Sequence, residues 1–166
     1  RAEALGATAV IALATLPVSL TECPPSPSLE LEKVFGAVSY DASSGRVSTA
    51  ITLSVSNVGS ADLEQLQLSD DLVASFGAGS DVEVLSVTAT GGLTPNPSYT
   101  GAVPNALLLS GADTLAAGAQ ASVTLTVDFA VQLPAGTECP VTVTYENAAR
   151  AEALGATAVI ALATLP

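Results

Sequence analysis

Three residues stand where a β-sheet protein normally places hydrophobic ones. Lys33 is the only lysine of the chain, the other basic residues being Arg1, Arg46 and Arg150. It falls in an alternating run over 29–35, on the side of Leu29, Leu31 and Phe35. Asp70 follows Leu66 and Leu68 at the end of another run, and Asn147 alternates with Val141, Val143 and Tyr145 in the last one. Residues two apart on a strand share a face. An amine, a carboxyl and a carboxamide are therefore predicted on core faces of three different strands, where an unpaired charge is costly. The chemistry open to such a set is acyl transfer. An apolar site would lower the pKa of Lys33 toward the free amine and raise that of Asp70, so that it can protonate an amide carbonyl. Lys33 would then displace ammonia from Asn147 and leave a Lys33–Asn147 amide. The alternative is three separate structural roles: Lys33 snorkels to an edge, Asp70 caps a turn and Asn147 bonds to backbone.

Other reactive groups are sparse. The chain has two cysteines and no histidine, which argues against a structural zinc site. Cys23 and Cys139 suit a disulfide if the protein is exported. With the first strand after Cys23 and the last after Cys139, a seven-strand sandwich is expected to bring them together. Pairing of Cys139 with the Cys23 of a neighbouring unit, and two reduced thiols, remain the other readings. Asp70, Asp71, Asp81 and Asp113 lack the spacing of an EF-hand and read as turn caps and loop acids, so no metal and no cofactor are expected. Ser and Thr without His leave no hydrolase triad, and the glycines at 77, 79, 91 and 92 precede no phosphate-binding helix. The expectation is a protein that is not an enzyme.

The elements that must position these residues are strands. Hydrophobic residues make up 49% of the 166-residue chain but aromatics only 4%, and the apolar set is mostly Ala, Val and Leu among Thr and Ser, a palette for sheet rather than helix bundle. Alternation predicts strands over 29–35, 47–55, 63–71, 82–87, 106–109, 123–129 and 141–147. Turns are expected at 57–60, 115–118 and 134–136, and a long loop at 91–105, rich in Gly, Pro, Thr and Asn. The segment 150–166 reads as a continuation of the last strand past a kink at Gly155.

That segment is also a repeat. Residues 1–17 and 150–166 are both RAEALGATAVIALATLP, and self-similarity at a fixed offset marks tandem arrays. The organisation follows: 1–17 is the terminal strand of a preceding repeat or a donor strand, 18–28 (VSLTECPPSPS) is a stiff proline-rich linker, and 29–166 is a sandwich whose C-terminal extension repeats 1–17. The apolar positions of the repeated segment, Ala9, Val10, Ile11 and Leu13 in one copy and Val159, Ile160 and Leu162 in the other, are candidates for an inter-unit joint.

The pieces LELEKVF (29–35), ITLSVSNVGSADLEQLQLSDDL (51–72), LAAGAQASVTLTVDF (115–129) and TVTYENAARAEA (142–153) occur in that order. Together they resemble the conserved repeat domain of bacterial and archaeal surface proteins known as domain-of-unknown-function family eleven. The resemblance covers 29–153 and implies an immunoglobulin-like β-sandwich carried in tandem on exported proteins. The apolar 150–166 segment departs from the family pattern. A lysine in the first strand, an acid in a middle one and an asparagine in the last is also similar to the layout of intramolecular isopeptide domains of Gram-positive pili.

The fold expected is thus all-β, an immunoglobulin-like sandwich repeat with an inter-unit strand extension. The function expected is that of a structural subunit or tandem repeat of an extracellular, pilus-like filament, joined to itself by β-strand addition. The alternative is an adhesin or glycan-binding module at the cell surface, reading a host ligand through 91–105. A net charge of −12 disfavours nucleic acid and anionic membranes as partners, and the longest apolar run is too short to span a bilayer.

Overall fold

A computed structural model describes residues 23–111, 113–133, 135–138 and 140–165. Two antiparallel sheets pack face to face as a β-sandwich. The first has the order β1 (Leu29–Phe35), β3 (Arg46–Asn57), β7 (Gln120–Ala130), β5 (Glu83–Ala89), with the short β2 (Ser39–Asp41) also paired to β3. The second has the order β6 (Asp113–Leu115), β4 (Leu63–Asp70), β8 (Tyr145–Leu154), β9 (Val159–Leu165). One short helix, α1 (Leu72–Phe76), follows β4, with Asp71 as its N-cap accepting from the Ala74 N–H.

The long alternating runs become the central ladder. β3 and β7 pair from Arg46↔Ala130 to Ser56↔Gln120. Ile51, Leu53 and Val55 on one strand and Val123, Leu125, Val127 and Phe129 on the other are fully buried, while their neighbours in sequence face outward. Burying each of these side chains contributes roughly 1.5–3 kcal/mol. In β4 the buried residues Leu63 and Leu66 are three apart, which breaks the alternation. A bulge restores it: Gln65 adopts φ +53°, and the register with β8 shifts between Glu64 and Gln67.

The sandwich has two ends. At the head lie the start of β1, the end of β3 and the β8–β9 turn; at the tail lie the start of β3, Tyr145 and Leu165, where β9 finishes. The linker residues Ser26 and Ser28 are docked at the head. The Ser26 carbonyl accepts from the N–H groups of Ser60 and Ala61, and that of Ser28 accepts from Val58. Gly59 sits so close beneath them that an added Cβ would stand 2.4 Å from the Ser26 oxygen. Asn57 holds this turn from below, donating to the carbonyls of Ala61 and Leu115 and accepting from the Gly59 N–H.

Three expectations change. Gly155 is not a kink but part of a reversal: with φ +75° it turns β8 back on itself, and β9 pairs antiparallel with β8 from Tyr145↔Leu165 to Ala151↔Val159. The last strand begins at Tyr145 rather than Val141, which is exposed. The run 106–109 makes only isolated bridges, Ser69↔Leu107 and Pro95↔Leu109. The repeated segment therefore supplies half of β8 and all of β9 within its own sandwich.

Candidate functional site

Lys33, Asp70 and Asn147 meet in the middle of the sandwich. Lys33 lies opposite Leu53 on β1, Asp70 opposite Ala149 at the end of β4, and Asn147 opposite Ala163 on β8. Ala149 and Ala151, which follow on the same strand, are buried too. Lys33 Nζ donates to Asp70 Oδ2 at 2.6 Å, with both side chains fully buried. Asn147 Nδ2 approaches the same oxygen at 3.4 Å. One carboxylate oxygen therefore holds the amine and the carboxamide side by side. Asp70 Oδ1 is buried without a hydrogen-bond partner.

Two residues that alternation did not single out complete the cluster. Ser75, on α1, donates its hydroxyl to Asn147 Oδ1 at 2.8 Å, polarising that carbonyl. Tyr99, from the 91–105 loop, donates to the main-chain oxygen of Asp70 at 3.0 Å. Ser75 belongs to a helix too short to show as a period, and Tyr99 is an isolated aromatic in a Gly/Pro-rich stretch; the one cue available was that Tyr99 is the lone aromatic of its loop.

Burial dominates the electrostatics. It holds Lys33 below the ordinary lysine value, countered by the charge and hydrogen bond of Asp70. It holds Asp70 above the ordinary carboxylate value, countered by Lys33 and then by the hydrogen bond from Asn147. Both shifts favour the neutral amine and the neutral acid. Burial also raises Tyr99, helped by the charges of Asp70 and Asp71.

The other predicted site residues are placed apart. Val159 is partly buried on β9, whereas Ile160 and Leu162 point outward with 67% and 71% of their surface exposed. Ala9, Val10, Ile11 and Leu13 lie outside the described residues. Cys23 is exposed with a free thiol, three residues before the docked Ser26 at the head. Cys139 lies outside the described residues, but the next residue, Pro140, lines a depression at the tail together with Val47, Tyr145 and Leu165. The described chain on either side of the expected disulfide thus approaches opposite ends of β3. Among the described residues no group of three or more acidic, Cys or His side chains is placed to hold a metal, and no helix is long and apolar enough to cross a membrane.

The 91–105 loop turns Leu93 and Tyr99 inward and leaves Val103 exposed. Leu93, Tyr99 and Gly101 are buried, and the Gly101 carbonyl accepts from Val73 of α1. The loop covers the Asp70 side of the sandwich.

No family model matches the chain, and no curated protein matches it in sequence. Among solved structures, the family 123 glycoside hydrolase from Clostridium perfringens, described for glycolipid glycan hydrolysis, is similar over 82% of this chain at 12% identity and a TM-score of 0.31. The chain spans 27% of that enzyme's length. A likeness this slight carries no argument about activity.

Proposed function

We propose that the chain is a structural unit of an extracellular filament or surface array, an immunoglobulin-like sandwich of the surface-protein repeat type joined to its neighbours through the repeated 17-residue segment. The observation that carries this reading is the place of the 150–165 copy. It is an integral strand pair, bonded to β4 through Leu68↔Ala151 and Ser69↔Arg150 and closing the sheet as β9. An identical segment on another copy fits the same register, so a neighbour can complete the sandwich by β-strand addition. The outward row of Leu154, Ile160 and Leu162 leaves apolar surface on that hairpin, which suits burial in an assembly. The Leu93 and Tyr99 side chains of the 91–105 loop are taken up by the core, which gives less support to the alternative, a glycan- or host-binding module. A chain of residues 18–155, which lacks both complete copies of the segment, tests the joint: added peptide RAEALGATAVIALATLP should restore its cooperative unfolding, and failure to restore it sinks strand addition.

A filament unit bears tension, and the buried cluster offers a tether. In the step proposed, the proton of the Lys33 ammonium passes to Asp70. The Lys33 amine attacks Asn147 Cγ while the Ser75 hydroxyl supports the developing charge on Oδ1, and the Asp70 acid lies against Nδ2, the nitrogen that leaves. The Cγ–Nδ2 bond breaks, the nitrogen leaves as ammonia with a proton relayed by Asp70, and the Nζ–Cγ amide remains. No oxidant or cofactor is needed. Intact mass reads the outcome: the protein should be one ammonia lighter than its sequence, and a full calculated mass eliminates the tether.

A further inference from the structure

We propose that the apolar depression at the tail of the sandwich is the socket for Val18 and Leu20 of the next unit. This rests on the reading that units follow one another through the repeated segment.

The depression has a volume of about 450 Å³. Its floor is Val47, Phe129 and Tyr145, and its walls are Val131 and Leu165. Beneath it, Phe76 stacks on Phe129 with centroids 4.2 Å apart, and Tyr145 meets both rings edge-on. The rim leaves Val38, Tyr40, Leu133 and Val141 between 42% and 60% exposed. The Tyr145 hydroxyl is buried without a hydrogen-bond partner. A concave patch of this kind on a protein with a net charge of −12 is where an apolar partner is expected.

The occupant follows from the repeat. Leu165 ends β9 and forms part of the socket wall. Leu16 is the same position of the other copy, and it is followed by Pro17-Val18-Ser19-Leu20. Wherever the 1–17 copy folds as β8 and β9 of a sandwich, Val18 leaves that sandwich at its own socket. In an extended chain Val18 and Leu20 share a side, so both enter together. The remainder, through 28, then reaches the head of its own unit, where Ser26 and Ser28 are docked. With Leu20 seated and Ser26 docked, the six steps between them span at most ~20–22 Å, which requires the two units to stand end to end. The linker would be pinned at both ends, which fixes the angle between neighbours instead of leaving a swivel.

The test is the full chain carrying a second copy of residues 18–28 after Pro166. Tethering presents the segment at an effective concentration of order mM. The readouts are Nile red emission from the depression and methyl-to-ring contacts with Tyr145 by NMR. The appended segment should show contacts from its Val and Leu methyls to Tyr145 and lower the emission severalfold. Serine at both of those positions should restore it. Two results overturn the proposal: unchanged emission with no contacts, or an equal fall with the serine version. Filament formation is not read by this experiment, so loss of the filament reading and loss of the socket are told apart.

Discussion

Replacing Lys33 with methionine should expose how strongly the centre of the sandwich depends on its buried charge pair. Lys33 and Asp70 are both without exposed side-chain surface and 2.6 Å apart. Removing one member of such a pair leaves the other uncompensated, at a cost of about 3–5 kcal/mol. If the Lys33–Asn147 amide forms, the substitution also opens a loop running from 33 to 147, worth roughly 4–5 kcal/mol more on the loop-entropy relation. Measuring Lys33→Met on an Asn147→Ala background removes the tether from both sides and isolates the pair. The pH dependence has a definite sign. Burial raises Asp70 above its unfolded value, and without Lys33 the main opposing influence is gone. A group with a raised folded pKa contributes stability that is present below its unfolded pKa and lost as pH rises through the folded one. The deficit of the variant should therefore be largest near neutral pH and shrink on acidification toward the ordinary carboxylate range. Urea unfolding at about pH 7 and about pH 5 reads both quantities. A loss under about 1 kcal/mol near neutrality, or one that does not change with pH, would mean that Asp70 is hydrated and the site is not the apolar cluster described.

Gly59→Ala should push the linker off the head, because its Cβ would meet the Ser26 oxygen at 2.4 Å; proteolysis between 23 and 28 should accelerate, and an unchanged cleavage rate argues against tight docking. Phe129→Ala removes the centre of the ring stack with Phe76 and Tyr145 and should cost about 3–5 kcal/mol in chemical unfolding. Under oxidising conditions Cys23 should join one molecule to another through Cys139, giving a ladder on non-reducing electrophoresis; a compact monomer lacking free thiols would instead put the bond within one unit.

What the chain disclosed about itself follows from length and period. β3 and β7 alternate over more than ten residues each, a pattern that packing can only reinforce. The same regularity placed Lys33, Asp70 and Asn147 on inward faces, since a slip of one residue would have turned each to solvent. β2 and β6, three residues each, are too short to carry a period and exist because β3 and β4 offer them an edge. Leu115 read as part of a turn yet ends β6. α1 depends on the Asp71 cap and on burial of Leu72 and Phe76, which only the tertiary structure supplies. Gly155 was legible as a break but not as a reversal: no Asn-Gly or Asp-Gly pair marks it, and the partner that decides the matter, the Tyr145–Ala151 stretch of β8, lies upstream. Ser75 and Tyr99 reach the site from that helix and from an irregular loop, where no spacing rule points inward.

The central claim is that the repeated segment joins units. Electron microscopy of the full chain beside one lacking residues 1–17, at equal concentration, tests it most directly. The full chain should form linear assemblies, and the shortened chain should remain monomeric with the same β-sheet circular dichroism. Filaments that persist without residues 1–17, or a full chain that stays monomeric, would contradict the account.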